Sequence, residues 1–378
     1  MYTNPNLNYI LEIIRFVAFG LCIILNSMLL KMITMHRHND LGMYRFLLLA
    51  FVSADILYGF IHFLVVPVPE SYKNAFVMGG HGTWSSRNGI GFIWPLVFSL
   101  AFPMLSFNFA YRLVAVKFPF RLELFKDTRV IAGLFAIATG NCLAWSIMSR
   151  STGFDDAESQ RYVHGFFTSN GSLHTYMRHD ITDIDDYIVV LFWDRGFLNG
   201  FHLLFRWDYG FLDGIHWANC IGAATMGMLG SVAYTFMAYA AVNILYYMEK
   251  NSQWSERHHK QHVQLFRALV LQAMTPFVTS YIPLGLCGLL PFFGADFPLF
   301  SVLVPPLCAF HPVLDGVIML TTVSQFRQVL IGSQNTLIDW LRCRPQRRNS
   351  RVIMIELEDP TGRTTDVIGM RKMTVSPT

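Results

Sequence analysis

Two carboxylates stand where an apolar chain should not carry them. Asp55 lies within FLLLAFVSADILYGF and Asp315 within FHPVLDGVIML, and an ionisable group at the centre of a membrane helix costs at least about 2.5 kcal/mol on insertion scales. Such a group faces the interior of a bundle. Asn26, in LCIILNSMLL, is a third polar residue inside an apolar run. Counted at about 1.5 Å per residue from the ends of their segments, the three lie at similar depths and can meet in one network. Two carboxylates in contact would share a proton or a cation; the other reading is that each is a separately hydrogen-bonded, neutral core residue. Arg112, after Tyr111, closes another apolar run, where an arginine ordinarily snorkels to water.

Enzyme chemistry has no foothold here. There is no nucleophile paired with a base, no His-Glu metal box and no phosphate-cradling glycine loop; Gly79-Gly80-His81-Gly82 lacks the strand and helix that such a loop requires. A repeat does occur: Trp193-Asp194-Arg195-Gly196-Phe197-Leu198-Asn199-Gly200-Phe201-His202 returns as Trp207-Asp208-Tyr209-Gly210-Phe211-Leu212-Asp213-Gly214-Ile215-His216. Asp and His are zinc ligands, but this spacing is not compact and two copies build no repeat fold. It reads as a local duplication or a gene-model artefact. The six cysteines lie in apolar runs or in the tail, and the first five, Cys22, Cys142, Cys220, Cys287 and Cys308, read as packing residues. No metal, no cofactor and no nucleic-acid partner is expected.

The elements that position these residues are membrane spans. Hydrophobic residues make up 53% of the chain and charged ones 14%, against about a quarter charged in soluble domains. Seven apolar segments run at about Phe16 to Met35, Tyr44 to Val66, Ile90 to Val116, Val130 to Ser149, Trp217 to Met248, Gln264 to Leu290 and Pro298 to Gln325. Each covers the about 20 residues that a bilayer demands. The sixth has 28 residues from Ala268 to Ala295 without Asp, Glu, Lys or Arg, and Pro276 within it removes a backbone donor and bends the helix into a hinge. The fold expected is an all-α bundle of seven transmembrane helices over residues 1–330, then a tail over 331–378.

Orientation follows from the short loops. Arg37, Lys117, Arg121, Lys126, Arg129, Lys250, Arg257, Lys260 and the tail cations fall on one side, which places the N-terminus outside and the C-terminus in the cytosol. Without a basic n-region ahead of it, the first segment is expected to serve as its own signal anchor. The long loop of about 151–216 is then outside, with ten acidic residues and the sequon at Asn170, a glycosylation candidate. Phe326 to Leu341 suits an interfacial helix, Cys343 is a lipidation candidate, and the remainder is polar and aperiodic, as disordered tails are. Arg112 and Arg267 close two spans on the cytosolic side, a face suited to a partner.

The chain resembles the nematode seven-transmembrane chemoreceptors of the Str class, serpentine G-protein-coupled receptors. The likeness rests on Met43-Tyr44-Arg45-Phe46-Leu47 with Ala54-Asp55-Ile56-Leu57-Tyr58, and on Phe109-Ala110-Tyr111-Arg112-Leu113-Val114-Ala115-Val116. It continues in Gln264-Leu265-Phe266-Arg267-Ala268-Leu269-Val270-Leu271-Gln272 with Pro276, Tyr281 and Pro283, and in His311-Pro312-Val313-Leu314-Asp315-Gly316 before Phe326-Arg327. Gly316 stands where the family usually has Pro, and no Cys precedes the third span. The resemblance implies an olfactory receptor of the plasma membrane, in the sensory cilium, with a small odorant-like molecule, a heterotrimeric G protein and membrane lipid as partners. Ligand would bind in the outer half of the bundle near Tyr58, His62, Phe102, Met104, Thr225, Met226, Thr279, Tyr281, Phe300 and Ser301. Asn26, Asp55, Asp315 and Pro276 would switch, and Arg112, Arg121, Lys260 and Arg267 would meet the G protein. The competing classes are a transporter or ligand-gated channel, against which stands the lack of inverted repeats, and a non-signalling membrane protein.

Overall fold

The computed structural model describes residues 5–35, 44–72, 75–80, 82–84, 89–151, 188–191, 217–250, 256–290, 299–324 and 326–328. The sequon at Asn170, the duplicated segment, Cys343 and the tail lie outside the described residues.

Long apolar runs without water to satisfy their backbone must hydrogen-bond internally, and helices do so. The chain accordingly forms α1 (Pro5–Met35), α2 (Tyr44–Val65), α3 (Trp94–Phe98), α4 (Ala101–Lys117), α5 (Thr128–Ser151), α6 (Trp217–Lys250), α7 (Glu256–Pro276), α8 (Ile282–Leu289) and α9 (Leu299–Thr322). Seven stretches of these are long and apolar enough to cross a membrane. Their surface is inverted relative to a soluble protein: Phe135 is 73% exposed while Asp315 is 1% exposed. Lipid is the solvent that such a surface fits.

The third span is assembled from a π turn (Gly89–Ile93), α3 and α4, and it is the most enclosed, with 61% of its most apolar window buried against 17% for α5. It forms the axis of the bundle. Three short strands, which the sequence reading did not anticipate, join the helices: β1 (Pro67–Tyr72) and β2 (Ala75–Gly80) pair antiparallel with Pro67 opposite Gly80, and β3 (Ile188–Leu191) adds to β2 with Ala75 opposite Leu191. The first span also begins earlier than its apolar run suggests, at Pro5.

Prolines dictate how the helices are tied. A proline has no N–H, so the carbonyl four residues before it loses its helical donor, and in lipid another group must replace that donor. Three of these carbonyls are served by side chains of neighbouring helices. Pro103 takes away the usual fourth-residue donor of the Ser99 carbonyl, which accepts the Phe102 N–H and Asn141 Nδ2 of α5, each at 3.2 Å. The Cys308 carbonyl, released by Pro312, accepts from the Tyr58 hydroxyl of α2 at 3.3 Å. Pro283 releases the Thr279 carbonyl, which faces the Cys308 thiol of α9 at 3.9 Å. Pro276 bends the sixth span differently: α7 ends on it and a π turn (Phe277–Tyr281) leads into α8.

Close approach seals the first helix between its neighbours. A Cβ on Gly59 would lie 2.5 Å from Cys22 Sγ, and one on Gly316 would lie 3.1 Å from Leu25 Cβ. Small residues at such crossings let backbones come together where lipid gives no hydrophobic drive.

The proline-and-cap pairing sets an expected outcome. Asn141→Leu lowers unfolding stability by about 0.6–1.7 kcal/mol, the range for hydrogen bonds between membrane helices. In a Pro103→Ala background residue 103 offers the Ser99 carbonyl a donor beyond the Phe102 N–H, so the same change costs less. Thermal unfolding of the four purified variants measures the coupling, and strictly additive effects contradict the pairing.

Candidate functional site

Three groups of side chains line the bundle axis. At the end of α2 that leads into β1, His62 is held by three elements. A carbonyl can only accept, so His62 Nε2 donates to Pro305 of α9 at 3.2 Å; Nδ1 is then the acceptor and takes the Trp94 indole N–H at 3.2 Å. The imidazole is neutral and its tautomer fixed. Tyr58 Oη lies 3.3 Å from the same Nδ1.

Beside it aromatic rings fill the space between α3, α4, α5, α6 and the π turn after α7. Trp94 stacks on Phe98 at 4.8 Å, Phe98 meets Tyr281 edge-on at 5.0 Å, and Tyr281 stacks on Phe102 at 4.4 Å. Trp145 lies 5.4 Å from Phe102, and Tyr234 lies 5.6 Å from Tyr281 and 4.9 Å from Phe277. Offset and edge-to-face pairs of this kind are worth about 0.5–1.5 kcal/mol each beyond their area. An apolar lining with a few placed polar groups is the ordinary make-up of a small-molecule site.

The second group lies deeper. Asp55 of α2 and His311 and Asp315 of α9 each offer a ligand atom within 4.8 Å of the others. His311 Nε2 is 3.2 Å from Asp315 Oδ2, a contact that the i, i+4 spacing of a helix brings about. Asp55 Oδ2, His311 Nδ1 and the Asp315 oxygens have no hydrogen-bond partner. Asn26 of α1 stands next to this group without joining it: its Nδ2 donates to the Cys22 and Pro312 carbonyls, both at 3.0 Å. Of the expected network, Asp55 and Asp315 come together through His311, and Asn26 anchors the backbone one residue beyond that histidine.

The third group is at the opposite end. Arg112 is 5% exposed, with its guanidinium 3.7 Å above the Tyr44 ring. Tyr44 stacks on Tyr111 at 5.5 Å, and Tyr111 meets Phe125 at 5.0 Å. Arg112 Nε and Nη2 have no hydrogen-bond partner, so the aromatic face is what the cation has been given. Arg121, Lys260 and Arg267 are exposed, Lys260 against Glu256 and Arg121 over Phe118.

Among the sequence-derived ligand candidates, Tyr58, His62, Phe102 and Tyr281 converge in the aromatic group. Met104 borders a small void that Asp55 and His311 also border. Thr279 is buried but gives its hydroxyl to the Thr275 carbonyl at 2.8 Å. Thr225, half-buried with Met226 on α6, gives its own to the Ile221 carbonyl at 2.7 Å. Phe300 and Ser301 have side chains outside the described set. Trp94, Phe98, Trp145, Tyr234, Tyr44 and His311 were not among the candidates. Only His311 carried a signal, a histidine four residues before an intramembrane aspartate.

The His62 bridge gives a second expected outcome. His62→Phe leaves the Trp94 N–H buried without an acceptor and costs about 1–3 kcal/mol, and adding Trp94→Phe recovers part of that loss. A thermal unfolding cycle over the two sites checks this; equal and additive losses contradict it.

Residues 11–331 match the family described as "Serpentine type 7TM GPCR chemoreceptor Str". Among curated proteins the chain is 22% identical to Serpentine receptor class r-10 of Caenorhabditis elegans over 303 residues, 78% of this chain and 83% of that protein. It is 23% identical to Serpentine receptor class J-38 over 292 residues, 75% and 80% of the two chains, and 22% identical to G-protein coupled receptor str-33 over 326 residues, 84% and 90%, both also of Caenorhabditis elegans. With seven apolar helices, buried polar groups along their axis and a family match over most of its length, the chain is a multi-pass membrane protein that belongs to the Str-class serpentine chemoreceptors.

Proposed function

We propose that this receptor binds a small odorant-like molecule among the rings of Phe98, Phe102, Tyr234 and Tyr281 and activates a heterotrimeric G protein through the end of the bundle that holds Arg112. The observation that carries the reading is the placement of an aromatic, His62-bordered group and a buried, hydrogen-bond-starved arginine at opposite ends of one axis, with the Asp55–His311–Asp315 group between them. Excess Lys and Arg on the Arg112 side support a cytosolic position for that end and an outer position for the ring group. The plasma membrane, in a sensory cilium, is the compartment this reading implies.

The rings come from the segment that follows the Pro276 bend and from the third span. Tyr281 lies in the π turn after it, whereas Phe102 and Phe98 belong to the third span. A ligand that wedges between Tyr281 and Phe102 moves α8 relative to α4 about Pro276, a place where the helix already departs from α geometry. Ligand shifts the equilibrium only by its differential affinity for the two packings. On the other side of the bend, α7 carries Leu265 and Ala268 into the same apolar cluster as Tyr44 and Tyr111. Movement there opens the cover over Arg112 and frees its guanidinium for the partner, with Arg121, Lys260 and Arg267 as the exposed rim.

In a reconstituted assay of G-protein nucleotide exchange with a panel of small volatile compounds, an active ligand loses at least about tenfold in potency with Phe102→Ala or Tyr281→Ala, a loss of about 1.4 kcal/mol. Arg112→Ala leaves ligand binding in place and removes exchange, and Pro276→Ala changes exchange more than surface expression. Ligand-evoked current that persists in cells without G-protein signalling contradicts the proposal.

A further inference from the structure

We infer that Asp55, His311 and Asp315 form a binding site for one divalent transition-metal ion of the zinc type, clamped between α2 and α9. The three side chains are 5%, 4% and 1% exposed, and their ligand atoms lie within 4.8 Å of one another. Zinc bonds of about 2.0–2.2 Å in a tetrahedral site place donor atoms about 3.3–3.5 Å apart. His311 Nε2 and Asp315 Oδ2 are at 3.2 Å already. Rotation of the Asp55 side chain about its own bonds brings the third donor in.

Charge selects the valence. Once both carboxyls give up their protons to act as ligands, they and a neutral imidazole carry two negative charges in an apolar interior, where unbalanced ions cost several kcal/mol each. His311 lies beside Asp315, and the oxygens of both aspartates left without a hydrogen bond point to a missing partner rather than to a finished hydrogen-bond network. A dipositive ion makes the assembly neutral. Donor type selects the element: imidazole nitrogen suits zinc and its neighbours, whereas magnesium, calcium and sodium favour oxygen alone. A small void bordered by Asp55, His311, Tyr58 and Met104 has room for about one water. That water supplies the fourth position. The ion would fix α2 to α9 next to the Asn26 and Tyr58 ties, so its loading bears on the same helices the receptor reading moves; the site itself is decided by binding and does not rest on that reading.

The test uses the untagged full-length receptor purified in detergent, with zinc chloride added in physiological sodium chloride and free metal removed by dialysis. Elemental analysis finds one retained zinc per chain, and X-ray absorption of the wild-type protein finds one imidazole nitrogen, otherwise oxygen, and no sulfur. His311→Asn and Asp55→Asn each weaken zinc binding by more than the about 10–100-fold that loss of an outer partner costs. His259→Ala, at an exposed position on α7, keeps the ion. Retention of no zinc by the wild type, retention undiminished in both site variants, or a sulfur-containing shell overturns the assignment. So does displacement of zinc by sodium with the same rise in melting temperature, which marks a monovalent site only. If neither variant folds, the wild-type spectrum decides between the outcomes.

Discussion

A carbonyl released by a proline inside a bilayer has no water to turn to. That constraint ties helices of this bundle together, because three such carbonyls are docking points for donors on other helices. Asn141 reaches Ser99, Tyr58 reaches Cys308, and Cys308 in turn faces Thr279. The last two share a residue, so α2, α9 and the π turn after α7 are linked through the Cys308 position: its carbonyl accepts from one side and its thiol approaches the other. Helices that would otherwise slide on nearly equivalent apolar contacts are given a register. Asn26 adds a further backbone tie, to the Pro312 carbonyl, and Gly316 lets α1 approach closely enough for it to form.

The same ties leave specific groups unserved, and these are the groups that could act. Tyr58 and His62 direct their donors to backbone carbonyls of α9, as Asn26 does. Asp55 and Asp315, one helical turn deeper, have carboxylate oxygens without donors. Polar side chains that only stabilise a bundle are satisfied by it; those left open are balanced by something that comes and goes, whether proton, ion or a second packing of the helices. Arg112 is the positive counterpart. It is lodged against the π face of Tyr44 with donors left over, an arrangement held by the cover of α7 and α9 rather than by a carboxylate. An ion pair would fix the cation more firmly than this cation–π seat does.

How far the sequence foretold this follows from what each signal measures. The spans were legible because lipid demands length and apolarity, and both are written directly in the residues. Asp55 and Asp315 stood out for the same reason, as charges where none are tolerated cheaply. The β1–β2 hairpin was not legible: PVPESY carries two prolines and a charge, and its pairing with Ala75–Gly80 comes from the backbone of the strands and not from an alternating apolar pattern. His311 was visible only as part of a motif, because one intramembrane histidine is ambiguous until the fold shows which acid it meets.

The aromatic group shows a deeper limit. Phenylalanine, tryptophan and tyrosine make up 15% of the chain, so any span offers several, and periodicity says which face a ring occupies without saying which faces turn toward one another. That choice is made by the proline-released carbonyls. Asn141 on α5 pins that helix to Ser99, which sets Trp145, one turn further on, against Phe102; the Thr279 and Cys308 contact pins the π turn to α9, which sets Tyr281 between Phe98 and Phe102. Ring contacts of about a kcal/mol apiece then follow from a register they do not themselves determine. A proline and the polar side chain that serves its carbonyl lie far apart in the sequence, and only their meeting in space reveals that one was placed for the other.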